Sequence, residues 1–174
     1  MLACALSHPS AVGLPAQALR YIEEPDGLLC NNSVRLLCNG SEAFPAWLAA
    51  IERARFRVSM EMYIFNDDAI GRQFAEALAR AARRGVTVRL LYDSVGCRHC
   101  PVSFFERMRA EGVLAIPYHP YRLWRPRFWT LLRRNHRKTL VCDGEVAFTG
   151  GINISTCWCS ANEGGDGWHD AAVE

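Results

Sequence analysis

Residues 136–153, HRKTLVCDGEVAFTGGIN, constrain this chain more than any other stretch. Two apolar, β-prone runs, 140–142 and 145–148, flank Asp143-Gly144. That dipeptide closes two-residue hairpins because both positions tolerate positive φ. Such a loop sets Cys142 opposite Glu145, Leu140 opposite Ala147, Lys138 opposite Thr149 and His136 opposite Gly151. Side chains alternate along a strand, and directly opposed residues share a face. His136, Lys138 and Asn153 are therefore expected on one face at the open end of the hairpin, with Arg137 pointing the other way. Gly150 and Gly151 leave room for a ligand to approach the backbone. An imidazole, an ammonium and an amide converging on open space suit a tetrahedral oxyanion such as phosphate. Lys138 is also the only lysine of the chain; the other 19 basic residues are arginine.

Around this hairpin the pattern alternates between strand and helix. Strands are expected at 33–37, 57–65, 86–92 and 113–118. Helices are expected from Ser41 to about Arg55, with Phe44, Leu48 and Ile51 on one side, from about Ala69 to Arg84, and from Val102 to Ala110. Asp67 and Asp68 can cap the second helix, while Gly85 and Gly112 end the second and third. The alternation predicts an α/β domain with a mixed, partly parallel sheet flanked by helices. Residues 1–32 read as a loose leader, and 33–174 as the folded domain. No apolar run reaches the roughly 18 residues of a transmembrane helix. The closing AAVE resembles the start of a strand, which would be left as an unpaired edge if the chain were cut there.

Eight cysteines are scattered along the chain. Cys97-x-x-Cys100 and Cys157-x-Cys159 have zinc-compatible spacing, but neither resembles a zinc knuckle, and Cys142 lies within an expected strand. Reduced thiols in a reducing compartment are the favoured reading. Residues 121–138 carry seven basic residues interleaved with Trp124, Phe128 and Trp129. That pattern suits an anionic membrane interface or a single-stranded nucleic acid, both of which present phosphodiesters. Two further acids could serve the site. Asp93 ends a buried strand, where open α/β sheets bind ligands; a helix cap or turn residue is an equally open reading of that position. Glu61 lies in an apolar strand and needs a partner, for which an arginine is the favoured candidate.

His136-x-Lys138, four residues, Asp143, six residues, then Gly150-Gly151-x-Asn153 resembles, without a gap, the signature of the phospholipase D superfamily. Flanking stretches 34–37, 61–65, 84–89 and 168–170 are most similar to the N-terminal half of a bacterial cardiolipin synthase. The resemblance implies a phosphatidyltransferase acting on phosphatidylglycerol, peripheral at the inner face of the plasma membrane, with no cofactor or metal. It implies His136 as nucleophile, Lys138 and Asp143 as its motif partners, and Gly151, Asn153 and Ser155 at the substrate phosphate. Asp170, in Trp168-His169-Asp170, matches the acid that orients the nucleophilic histidine; His169 stands where these synthases usually have arginine. Asp143 sits in the expected turn, on the order of 20 Å from His136, so the hairpin itself favours a turn-fixing role. The family's chemistry uses a second histidine from a second motif, and one lysine permits only one motif here. Either two copies pair, or the chain is the front half of a two-motif enzyme; the second is preferred. A homodimeric nuclease or phosphodiesterase, with nucleic acid a less favoured ligand, and a noncatalytic half-domain that binds membrane or a partner chain, remain as alternatives.

Overall fold

The computed structural model describes residues 32–120 and 134–174. The leader expectation and most of the basic, aromatic segment 121–138 lie outside them. Residues Arg35–Glu174 form one unit built on a seven-stranded mixed sheet. In chain order its elements are β1 (Leu36–Cys38), α1 (Asn39–Arg53), β2 (Arg57–Met62), α2 (Ala69–Arg83), β3 (Thr87–Asp93), α3 (Val102–Ala110), β4 (Leu114–Tyr118), β5 (Thr139–Cys142), β6 (Val146–Gly150) and β7 (Ala171–Val173). The strand order is β1-β7-β6-β5-β2-β3-β4. β2, β3 and β4 run parallel, while the remaining pairs are antiparallel. The mixed, partly parallel sheet with flanking helices is thus the observed architecture.

The first helix begins at Asn39, two residues before the expected Ser41, with no side-chain cap, whereas α2 forms for the reasons the sequence suggests. Asp68 caps α2, its carboxylate accepting from Gly71 N at 2.9 Å, and Gly85 leaves the helix at φ 90°. Buried side chains alternate along the strands, with Val58, Met60 and Met62 on β2 and Val88, Leu90 and Tyr92 on β3. Aromatic residues knit the helices to that face: Trp47 lies 6.0 Å from Phe148, and Tyr92 stacks on Phe105 at 3.7 Å. On α1 the core stripe is Ala43, Phe44, Trp47, Ala50 and Ile51, with Leu48 only half-buried.

Two expectations about the sheet are corrected. The hairpin loop has three residues, because β5 and β6 pair as Cys142↔Val146, Val141↔Ala147, Leu140↔Phe148 and Thr139↔Thr149. The two-residue loop would have put Phe148 and Leu140 on opposite faces, since one residue of slip exchanges the faces of a strand. The observed register buries both against the helices. Asp143 at φ 56° and Gly144 at φ 79° turn the wider loop. Second, β7 is not an edge: it pairs with β1 on one side and β6 on the other. Backbone hydrogen bonds between Arg35 and Glu174 extend the β1–β7 ladder.

Candidate active site

The site forms where the C-terminal ends of β2 and β3 meet the residues preceding β5. β2 pairs with β5 as far as Glu61↔Thr139, so the chain beyond Met62 runs beside 136–138. His136 is exposed, whereas Lys138 is only 5% exposed. Lys138 Nζ lies 3.1 Å from His136 Nδ1 and 3.3 Å from Nε2, and donates to His136 O at 2.9 Å. Burial holds the Lys138 ammonium below the ordinary lysine range, and the nearby charge of Asp170 opposes that shift. Tyr63 completes the cluster: its ring centroid is 4.4 Å from the imidazole and 5.2 Å from Nζ.

Asn153 approaches from the 150–154 segment. Its side-chain oxygen accepts from Ile64 N at 3.0 Å, and its amide nitrogen donates to Gly151 O at 3.3 Å. It therefore straps the glycine turn to the end of β2, and of its two amide hydrogens the Gly151 bond uses one. Gly151 does provide space, but the occupant is a side chain. A Cβ there would lie 2.1 Å from Asp170 Oδ1 and 2.4 Å from Oδ2. Asp170 is itself held by Asn39, through a backbone bond of 2.8 Å to its carbonyl and a side-chain bond of 3.1 Å from its N–H. Its carboxylate thus sits over the glycine and within electrostatic reach of Lys138.

The other candidate residues serve as supports. Asp93 is completely buried, and its carboxylate accepts from Val95 N, Gly96 N and Asn135 N at 2.8–2.9 Å. Glu61 accepts from the Asn135 side chain at 2.8 Å and lies 3.8 Å from Arg137. Both acids hold the residue immediately before His136; the arginine pairing expected for Glu61 is present but longer than its bond to Asn135. Ser155 is 1% exposed, and its hydroxyl donates to Asp68 at 2.9 Å and accepts from Asn66 at 3.0 Å. Asp143 stands at the other end of β5 from Lys138. Its two oxygens accept the backbone N–H groups of Arg55, Phe56 and Arg57 at 2.8–2.9 Å. The structure thus brings together His136, Lys138, Gly151, Asn153 and Asp170, and separates Asp143 from them.

Tyr63 and Asn135 are the residues that sequence reasoning passed over. A signal existed for Tyr63: it lies in the same 61–65 stretch as Glu61, two residues on, so strand alternation places both on the same side. No comparable signal marks Asn135, whose role depends on contacts with strands 42 and 74 residues away. Among the described residues no group of three or more His, Cys, Asp or Glu is placed to hold a metal ion. Burial pushes the thiols of Cys97 and Cys100 up to about 12, which keeps them protonated.

Comparison with known proteins shows the family and the fold. Residues 47–163 match the family model described as cardiolipin synthase, PLD-like domain, that is, phospholipase D-like. Cardiolipin synthase of Geobacillus kaustophilus is 39% identical over 154 residues, covering 88% of this chain and 30% of that protein. Cardiolipin synthase A of Pseudomonas entomophila is 40% identical over 146 residues, covering 84% and 30%. The chain therefore spans 30% of the length of each of these relatives. Among solved structures, the phospholipase D family member Nuc from Salmonella typhimurium superposes with a TM-score of 0.59 at 19% identity, covering 81% of this chain and 80% of that one. Phosphatidylserine synthase of Haemophilus influenzae gives 0.58 at 13% identity, covering 80% and 32%. At those identities the likeness concerns the fold alone. The family match spans well over half of the chain, and the chain belongs to the phospholipase D-like domain family of cardiolipin synthases.

Proposed function

We propose that this chain is one phosphohistidine-forming half of a phosphatidyltransferase that acts on an anionic phospholipid, phosphatidylglycerol, at the inner face of the plasma membrane. The observation that carries the reading is the sheltered Lys138 ammonium in contact with an exposed imidazole, in a chain about 40% identical to cardiolipin synthases. No helix among the described residues is long and apolar enough to cross a membrane.

The chemistry follows from the groups present. Lys138 turns its ammonium from the imidazole to a nonbridging oxygen of the phosphodiester, with a free amide hydrogen of Asn153 at the same group, and together they offset the charge gained in the transition state. Neutral His136 attacks phosphorus, and the bond from phosphorus to the glycerol oxygen breaks. A second histidine, from another copy or a companion half, protonates the departing alkoxide. The same group then deprotonates the hydroxyl of a second lipid, which attacks phosphorus and releases His136. Asp170 supplies a carboxylate beside this cluster that can stabilise positive charge on the imidazole as it forms. Asp143 takes no part in these steps; it fixes the far end of the strand that carries Lys138.

The test is transfer of the phosphatidyl group between phosphatidylglycerol molecules in vesicles, using the chain in its complete assembly. Lys138→Arg is expected to lower turnover by about 100-fold or more, because a forked guanidinium cannot replace a compact ammonium at a crowded phosphate. Undiminished turnover in that variant would remove Lys138 from the mechanism. Cleavage of single-stranded DNA without lipid exchange would instead make the site a general phosphodiesterase.

A further inference from the structure

Tyr63 touches both members of the reactive pair, and neither the motif nor its chemistry assigns it a part. We propose that Tyr63 is a positioning residue: its ring is the wall that holds the Lys138 ammonium and the His136 imidazole together in the free protein. The proposal deepens the phosphate-site reading above and rests on it for the identity of the ligand.

The placement of the ring is over-determined. Cys97 Sγ accepts from Phe65 N at 3.2 Å and donates to Tyr63 O at 3.4 Å. A Cβ on Gly96 would lie 2.0 Å from that same carbonyl oxygen, so the 93–97 loop packs directly under the Tyr63 backbone. On the other side, Ile64 N is taken by Asn153 and Ile64 O by Ile154 N at 3.1 Å. Asp93 ties the two partners to one another: it holds Gly96 N beneath Tyr63 and Asn135 N ahead of His136. One buried carboxylate thereby sets the distance between the ring and the imidazole.

An aromatic ring suits this position better than a carboxylate would. A carboxylate pressed against Lys138 would neutralise it and compete with the substrate phosphate. The face of a ring attracts an ammonium while leaving its full charge available to an incoming oxyanion. The ring also walls off one side of the imidazole, which limits the directions in which His136 can turn. Both contacts are made by the ring, so the phenol hydroxyl is dispensable to them.

The experiment uses the full chain labelled at histidine and lysine and read by NMR, with the His136 signals assigned through His136→Gln among the chain's five histidines. In the wild-type protein the His136 ring protons are expected to be shifted by the Tyr63 ring current and to show Overhauser contacts with it. Tyr63→Phe should keep both features, and Tyr63→Leu should lose them. Inorganic phosphate, titrated against the His136 and Lys138 signals, should bind Tyr63→Phe as it binds wild type. It should bind Tyr63→Leu about 3- to 30-fold more weakly, the span of a cation–π contact from exposed to desolvated sites. A role of the phenol hydroxyl predicts weaker phosphate binding in Tyr63→Phe, and that result overturns the proposal. Equal phosphate affinity in Tyr63→Leu and wild type overturns the proposal. If Tyr63→Leu fails to fold, the wild-type spectrum decides, because absence of ring contacts to His136 overturns it equally. If phosphate moves no His136 signal in wild type, the phosphate-site reading fails, while the ring contacts still judge the Tyr63 placement.

Discussion

Gly151 and Asp170 show how much of this site rests on single atoms. The glycine has no Cβ, and the space thus left is filled by the Asp170 carboxylate, which accepts from Ala171 N at 2.8 Å. Alanine at 151 must push that carboxylate aside. Because Asp170 is exposed, the carboxylate can swing into solvent, so we expect Gly151→Ala to fold with a loss of only about 1 kcal/mol. The electrostatic consequence should be larger than the steric one. Asp170 is the group that raises the Lys138 pKa against the effect of burial, so moving it away should make the ammonium titrate below its wild-type position. Asp170→Asn should do the same, and combining the two should add little, since both remove one interaction. NMR titration of the single lysine measures all three variants. A wild-type titration in Gly151→Ala would mean that the carboxylate stays in place.

At the scale of elements, the hairpin shows what the sequence makes legible and what it does not. Asp143-Gly144 marks the turn, and the alternation of Leu140 and Cys142 marks the buried face. Loop length is set elsewhere, by the fit of Phe148 beside Trp47 and by three backbone N–H groups at 55–57 that Asp143 reaches across the sheet. Neither partner is adjacent in sequence, so local turn chemistry points to a loop one residue too short. The α3 bounds, Val102–Ala110, are those the sequence predicts, because a periodic apolar face and a terminal glycine are local signals. The role of Ser155 was illegible for the opposite reason: its partner Asp68 comes from another element. For Asp93 the bonds from Val95 N and Gly96 N are the turn role that its place in the sequence leaves open, and only the bond from the distant Asn135 N was illegible. The Asp143 clasp makes a pH prediction. Hydrogen bonds from Arg57, Arg55 and Phe56 hold its carboxyl below the usual aspartate range. A carboxyl depressed in the folded state stabilises fully above its unfolded pKa, near 3.8, and the contribution fades as pH falls through the lower folded value. Asp143→Asn should therefore have a lower urea midpoint than wild type at pH 6, with the gap closing at acid pH. A gap that persists unchanged through acid would locate the clasp's contribution in geometry rather than in charge.

For the whole molecule the central fact is arithmetic. One lysine permits one His-x-Lys, and in-line transfer at phosphorus needs both an attacking group and a proton donor to the leaving oxygen. His136 is exposed, so a second imidazole can approach the substrate from outside the chain. The chain also spans 30% of the length of the relatives it matches, which leaves room in those proteins for a companion domain. We expect fractions containing one copy, 19.5 kDa, to show no phosphatidyl transfer. Activity should appear only where two copies, or one copy and a companion with its own motif, are assembled. Light scattering on the same fractions used for the lipid assay tests this. Where the active species is a pair, both histidines lie in one composite site related by a twofold axis. Mixing equal amounts of wild type and His136→Ala, with exchange of partners, should then leave about a quarter of the pairs with two intact histidines. Activity that falls as the square of the wild-type fraction would identify a shared site. A linear fall, or turnover in the single-copy fraction, would show that each copy completes its chemistry alone and that the proton donor lies within this chain.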